Sequence, residues 1–190
     1  MTCSGLRIST LPPVTMSAPV GEAEVHGELA VFRTPAVPAS VVDASPRSVV
    51  KAVAGGSYRV ALGNGLLVYG EYHYSGFGAP SPAGILSRLA DAAFQERYTR
   101  GDTQILGRHA LAALASYELA PEVTFATEWL HSPADGSGVF VPSSTFTFGD
   151  RASMLFSGYV PYGRPPVAAT LQSVFGASPL ALFVQLRFYR

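Results

Sequence analysis

Glu71 and His73 stand two residues apart in the segment GEYHY, so on an extended chain both side chains leave the same face. A carboxylate beside an imidazole can orient a base or supply two metal ligands. The other histidines are His26, His109 and His131; Glu71 and His73 have no further sequence-local partner, and Cys3 is the only cysteine. The Glu71/His73 pair therefore reads as a paired polar group on a strand, with no metal and no cofactor expected. Catalytic signatures are also missing. No G-x-S-x-G elbow occurs, and the glycine-rich pieces GNG and GSG lack the Lys-Ser/Thr and the βαβ setting of a phosphate loop. The chain is not expected to be an enzyme.

The remaining charged residues are sparse, which is informative. Of 190 residues only 14% are charged, with 13 basic and 13 acidic side chains cancelling and a mean hydropathy of +0.25. A soluble domain carries about 25%. Disorder is excluded by the hydropathy, and nucleic acid by the absence of a basic stripe. No apolar run is long enough for a helical membrane span, so a membrane role would rest on strands. The first twenty residues, rich in Ser, Thr and Pro, do not read as a secretory signal.

Residues 1–23 read as an irregular lead-in. From Glu24 to Arg190 the dominant period is two, which predicts an all-β chain: an antiparallel meander of about eight strands forming a small or partial transmembrane β-barrel. Asn64-Gly65 predicts a tight hairpin turn, and Gly149–Arg151 another. Residues 84–97 predict a short loop helix. Pro142 predicts a strand that starts late, bulges or lies at an edge. In the last strand Leu180, Leu182, Val184, Leu186 and Phe188 share one face, while Gln185 and Arg187 lie on the other. Its length of about 10 residues suits a tilted membrane strand.

Along the chain the less apolar faces carry Glu28, Arg59, Glu71, His73, Arg108, Glu118, Glu128, Gln185 and Arg187, one or two per strand. A solvated exterior would carry more; a lumen in which acids and bases pair would carry about this many, with Leu180 to Phe188 of the even face against lipid. In an eight-stranded barrel such groups would plug the interior with ion pairs, and a pore needs more strands. Tyr72, Tyr74, Phe77, Trp129, Tyr159, Tyr162, Phe188 and Tyr189 fall near strand ends, as rings with a polar tip do at headgroup level. The alternative is a soluble β-barrel or β-sandwich that buries the same apolar faces around a small ligand.

The stretch Gly65–Gly78, the segment Gly107–Leu119, the loop Asp135–Met154 and the closing FVQLRFYR together resemble the C-terminal part of porin-like outer-membrane β-barrel proteins of Gram-negative bacteria. The likeness covers Glu24–Arg190 and lies in strand-and-turn pattern. It implies an outer-membrane location, a structural or passive channel role, and membrane lipids, self-association or another barrel fragment as partners. The chain departs from the family pattern in its N-terminus, its length and its terminal Arg190, which points to a truncated product or an open, partial barrel.

Overall fold

The computed structural model describes residues 9–10, 12–33, 48–81, 83–85, 91–99, 106–168 and 170–189. Ten strand segments alternate with turns: β1 (Ser9–Thr10), β2 (Val14–Val20), β3 (Ala23–Arg33), β4 (Ser48–Val60), β5 (Leu66–Ser75), β6 (His109–Ala120), β7 (Val123–Ser132), β8 (Ser137–Phe148), β9 (Ala152–Tyr162) and β10 (Ala181–Phe188). A helix, α1 (Ala92–Thr99), lies in the β5–β6 connection, where residues 83–85 are helical as well. Each strand pairs antiparallel with the next in sequence. β1 and β2 lie end to end on one edge of β3, opposite β4. The result is an all-β meander of nine strand positions whose two edges do not meet.

Several expectations are corrected. The lead-in is not irregular throughout: Val14, Met16, Ala18 and Val20 alternate with Thr15, Ser17 and Pro19, and this edge strand follows β3 in register from Val14↔Leu29 to Val20↔Ala23. Pro19 is tolerated because an edge strand can turn its missing donor outward. The sheet has nine strand positions, in keeping with the expected meander of about eight. β8 does not stop or start at Pro142 but runs through it, keeping register with β7 at Thr127. The loss falls on the other side, where the ladder with β9 skips Val141 and Pro142 between Phe140↔Val160 and Ser143↔Ser157. The β4–β5 turn is longer than a two-residue hairpin. Gly63 and Gly65 take the positive φ values (55° and 94°), and Asn64 Nδ2 instead donates to the carbonyls of Glu118 and Leu119 in the neighbouring turn. Within the range expected to be helical, residues 84–85 and 92–97 are helical and Asp91 is not, while residues 86–90 lie outside the described set. Ile105 and the connection 35–47 also lie outside it.

The connections differ at the two ends of the sheet. At one end the strands are joined by residues 21–22, 61–65, 121–122 and 149–151. At the other end, residues 76–108 join β5 to β6 and residues 163–180 join β9 to β10, with a shorter link at 133–136. The most deeply buried side chains gather at this long-loop end. Phe94 and Val139 are 1% and 0% exposed, and Val49, Phe77 and Ile85 are buried with them. Phe77 meets Phe32 edge-on. The longer connections thus pack over one face of the sheet.

Candidate functional site

Register decides which side chains share a face, because cross-strand partners project to the same side. Starting from His26, the pairing His26↔Gly55, Gly55↔Glu71, Glu71↔Ala112, Ala112↔Leu130 and Leu130↔Val139 traces one row across five strand boundaries. On that face stand Glu24, Glu28, Lys51, Arg59, Glu71, Glu118, Glu128 and Arg187, together with His26, His73, Gln185 and many Ser, Thr and Ala residues. Arg108, just before β6, has the same parity. All nine residues expected to be polar and inward thus fall on a single face. Among the described strand residues, the opposite face carries one formal charge, Arg33, at its margin.

The opposite face is apolar, and many of its described side chains are exposed. Leu182, Val184, Leu186 and Phe188 lie on it, 78%, 64%, 60% and 79% exposed, and Leu180 just before β10 is exposed too. At its long-loop end sits a belt of rings. Trp129 stacks on His131 with centroids 5.1 Å apart, and Tyr162 Oη accepts from Trp129 Nε1 at 2.8 Å. His131 Nδ1 lies 2.9 Å from the same hydroxyl. Next to them Tyr72 Oη is 2.6 Å from His109 Nδ1. Tyr58, Tyr117, Phe125, Phe148 and Phe188 line the short-turn end of the same face. From His109 to Tyr117 along β6 is eight steps, about 26 Å at roughly 3.3 Å per residue. At the tilt of about 40° found in outer-membrane barrels, such a stretch would cover about 20 Å, against an apolar band of about 25 Å in those proteins.

On the polar face the structure builds one tight cluster. Glu71 Oε1 lies 2.8 Å from His26 Nε2, and Oε2 lies 2.7 Å from His73 Nε2. Tyr69 Oη donates to Oε1 and stacks its ring on His26 at 5.6 Å. An ionised carboxylate only accepts, so both imidazoles must present Nε2–H to it. His26 and Glu71 sit on β3 and β5, two strands apart, a span of about 9–10 Å between backbones. They meet because Gly55 on the intervening β4 has no side chain. A Cβ there would lie 2.6 Å from Glu71 Cγ and 3.1 Å from His26 Cε1.

Glu71 and His73 were legible as a pair. His26 and Tyr69 were not expected in the cluster, and only the register brings His26 there. The expected ion-paired plug is not what forms. Among the described residues no ion pair joins Arg59, Arg108 or Arg187 to Glu118 or Glu128, and Arg187 Nη2 donates instead to Gln185 Oε1 at 2.9 Å. The imidazole nitrogens of the cluster point at carboxylate oxygens and not at a common point. Among the described residues no group of three His, Cys, Asp or Glu side chains is arranged to hold a metal ion.

Beside this cluster, His73, Ala110, Ala112, Leu130 and Tyr159 of the polar face and Tyr98 and Phe175 of the long loops enclose a cavity of about 420 Å³. The loop 163–180 is held over the face by Asp135. Its Oδ1 accepts from Ser137 N at 3.0 Å and Ser137 Oγ at 2.8 Å, and its Oδ2 from Val174 N at 2.5 Å. Burial pushes this carboxyl up, but those hydrogen bonds outweigh it and hold the group below the usual aspartate range. Ser137 Oγ accepts in turn from Phe175 N at 3.2 Å. No protein-family model matches the chain, and neither a curated protein nor a solved structure does.

Proposed function

We propose that this chain is a membrane-embedded β-sheet of the outer-membrane barrel type, with its apolar face against lipid and its polar face lining an aqueous interior. Its role on this reading is that of a structural barrel or of a passive, porin-like channel component. One observation carries the proposal: across nine strand positions the charges of the described strands, apart from Arg33 at the margin, keep to one face, and the deeply buried side chains pack beneath loops on that same polar face. A soluble sandwich would place its second layer on the apolar face. Here, among the described residues, that face has aromatic belts at both ends and nothing packed across its middle. Short turns at one end and long connections at the other match the asymmetry of outer-membrane barrels.

Trp129, the sole tryptophan, supplies the test. It sits in the long-loop belt, so in vesicles its emission should be quenched by lipids brominated near the headgroup and less by lipids brominated near the chain end. Protein that folds as a monomer in plain buffer, with Trp129 unquenched by either lipid, would favour a soluble binding module.

A further inference from the structure

Small residues on β6 make room on the polar face. Ala110 and Ala112 stand between His73 of β5 and Leu130 and Ser132 of β7, and their short side chains form the floor of the cavity of about 420 Å³. Its roof is fastened. Val174 and Phe175 line it, and their backbone N–H groups are the two that donate to Asp135 Oδ2 and Ser137 Oγ. Tyr98 of α1 and Tyr159 of β9 add two more rings to the wall. Such a volume is within the range of small-molecule sites, and an engineered apolar cavity of about 150 Å³ already admits benzene.

Two polar groups reach this largely apolar space from a single row. His73 pairs with Ala110, and because Leu111 pairs with His131, Ala110 stands beside Ser132 at the next position. The Ala110 methyl is what lies between them along the row. Ser132 is 3% exposed, and among the described residues its Oγ has no hydrogen-bond partner. Burying a hydroxyl in that way costs free energy, so packing alone does not account for it. His73 Nε2 is committed to Glu71 Oε2, which makes Nδ1 of the neutral ring an acceptor. The row thus offers a donor and an acceptor on either side of a methyl group. Among the described residues that line the cavity none is Asp, Glu, Lys or Arg, so a charged guest would be desolvated without a counter-charge.

We infer that the cavity binds a small uncharged aromatic alcohol, its ring among Tyr98, Tyr159 and Phe175 and its hydroxyl over Ala110, accepting from Ser132 Oγ and donating to His73 Nδ1. Rings packed against rings supply the affinity, and the hydroxyl sets the orientation. The site is on the polar face and holds whether lipid or solvent bathes the other one.

The probe is para-fluorophenol, compared with fluorobenzene, the same ring without the hydroxyl. Both are titrated by fluorine NMR into the full-length chain folded in detergent micelles, and partition into micelles, which does not saturate, is subtracted with protein-free micelles. The phenol should bind one-to-one with Kd at or below about 1 mM and shift the Val174 and Phe175 amide resonances. Fluorobenzene should bind at least about fivefold more weakly, the value of one hydrogen bond. Ser132→Ala removes an unpartnered hydroxyl and leaves the fold intact; it should weaken the phenol by the same factor and leave fluorobenzene unchanged, a selectivity that a merely structural role would not produce. Ala110→Phe fills the space and should abolish binding of both. No saturable binding overturns the proposal, as does phenol binding that Ser132→Ala leaves unchanged or weakens no more than it weakens fluorobenzene. Saturation without shifts at Val174 and Phe175, or full binding by a folded Ala110→Phe chain, overturns it as well; should that chain not fold, Ser132→Ala decides alone. Trp129 quenching, read from the opposite face, tests the membrane reading separately, so either can fail without the other.

Discussion

Ala112 and Ala113 are adjacent alanines in the middle of β6, and the register sends them to opposite faces. Ala112 pairs with Glu71 on one side and Leu130 on the other; Ala113 pairs with Gly70 and Trp129. Replacing either with arginine adds the same charge, volume and backbone propensity, so the difference between the variants isolates the face. Ala113 lies four residues from His109 and four from Tyr117, midway between the aromatic belts. On the membrane reading an arginine there would stand at the bilayer midplane and cost about 2–4 kcal/mol, roughly 30- to 700-fold in the folding equilibrium. Ala112→Arg faces Glu71 across one ladder position and should be near neutral, within about 1 kcal/mol, since a partly exposed ion pair contributes little. Urea titration of refolding into vesicles, followed by Trp129 emission, gives both values. Equal costs, or a greater loss for Ala112→Arg, would refute the assignment of faces and the membrane reading with it.

Gly55→Val should push Glu71 away from His26, costing about 1–3 kcal/mol through overpacking. The His26 ring resonances should move while those of His73, on the same strand as Glu71, keep their positions. Asp135→Asn should loosen the loop 163–180 by about 1–3 kcal/mol, read as faster amide exchange at Val174. The carboxyl is held low in the folded state, so its contribution is complete above the unfolded value of about 3.9 and fades as pH falls through the folded one. The gap between the parent and Asp135→Asn should therefore be constant from pH 5 to 7 and close below pH 4. Tyr162→Phe removes the acceptor of Trp129 Nε1–H, and the Trp129 emission maximum should shift with little change in folding yield. Val184→Arg should impair insertion more than Gln185→Arg, with equal vesicle folding yields as the contrary result.

Period-two alternation carried much of the architecture. In β10 the Leu182/Val184/Leu186 face and the Gln185/Arg187 face are separable by eye, and so are Leu111 and Ala113 against Ala112 and Leu114 in β6. Alternation is a property of one strand and says nothing about its neighbours. That is why Glu71 and His73 were readable as a pair and His26 was not: its contact depends on a register set across β4 and on the space at Gly55. The edge strand β2 has the same alternation in Val14, Met16, Ala18 and Val20, but three prolines in the first twenty residues and the lack of a charged face concealed it. Asn64-Gly65 signalled a turn correctly and its length wrongly, because Gly63 also takes a positive φ and Asn64 is used to bind the adjacent turn. The Asp135 clamp draws on backbone donors near residue 174, which no local pattern announces.

The missing rungs at Val141 and Pro142 matter when the molecule is pulled. Held by its C-terminus, a meander opens like a zipper, one seam at a time, and the force at each moment is set by the rungs at the fork. The β9–β10 seam, with unbroken register from Ala181↔Tyr159 to Phe188↔Ala152, comes apart first and evenly. The β8–β9 seam then yields in two parts, a short run beyond Phe140 and a longer one from Ser143 to Phe148, with slack between them. A single-molecule extraction trace should show that slack as a pause inside one hairpin, and Pro142→Ala, by restoring a donor, should merge the two parts into one.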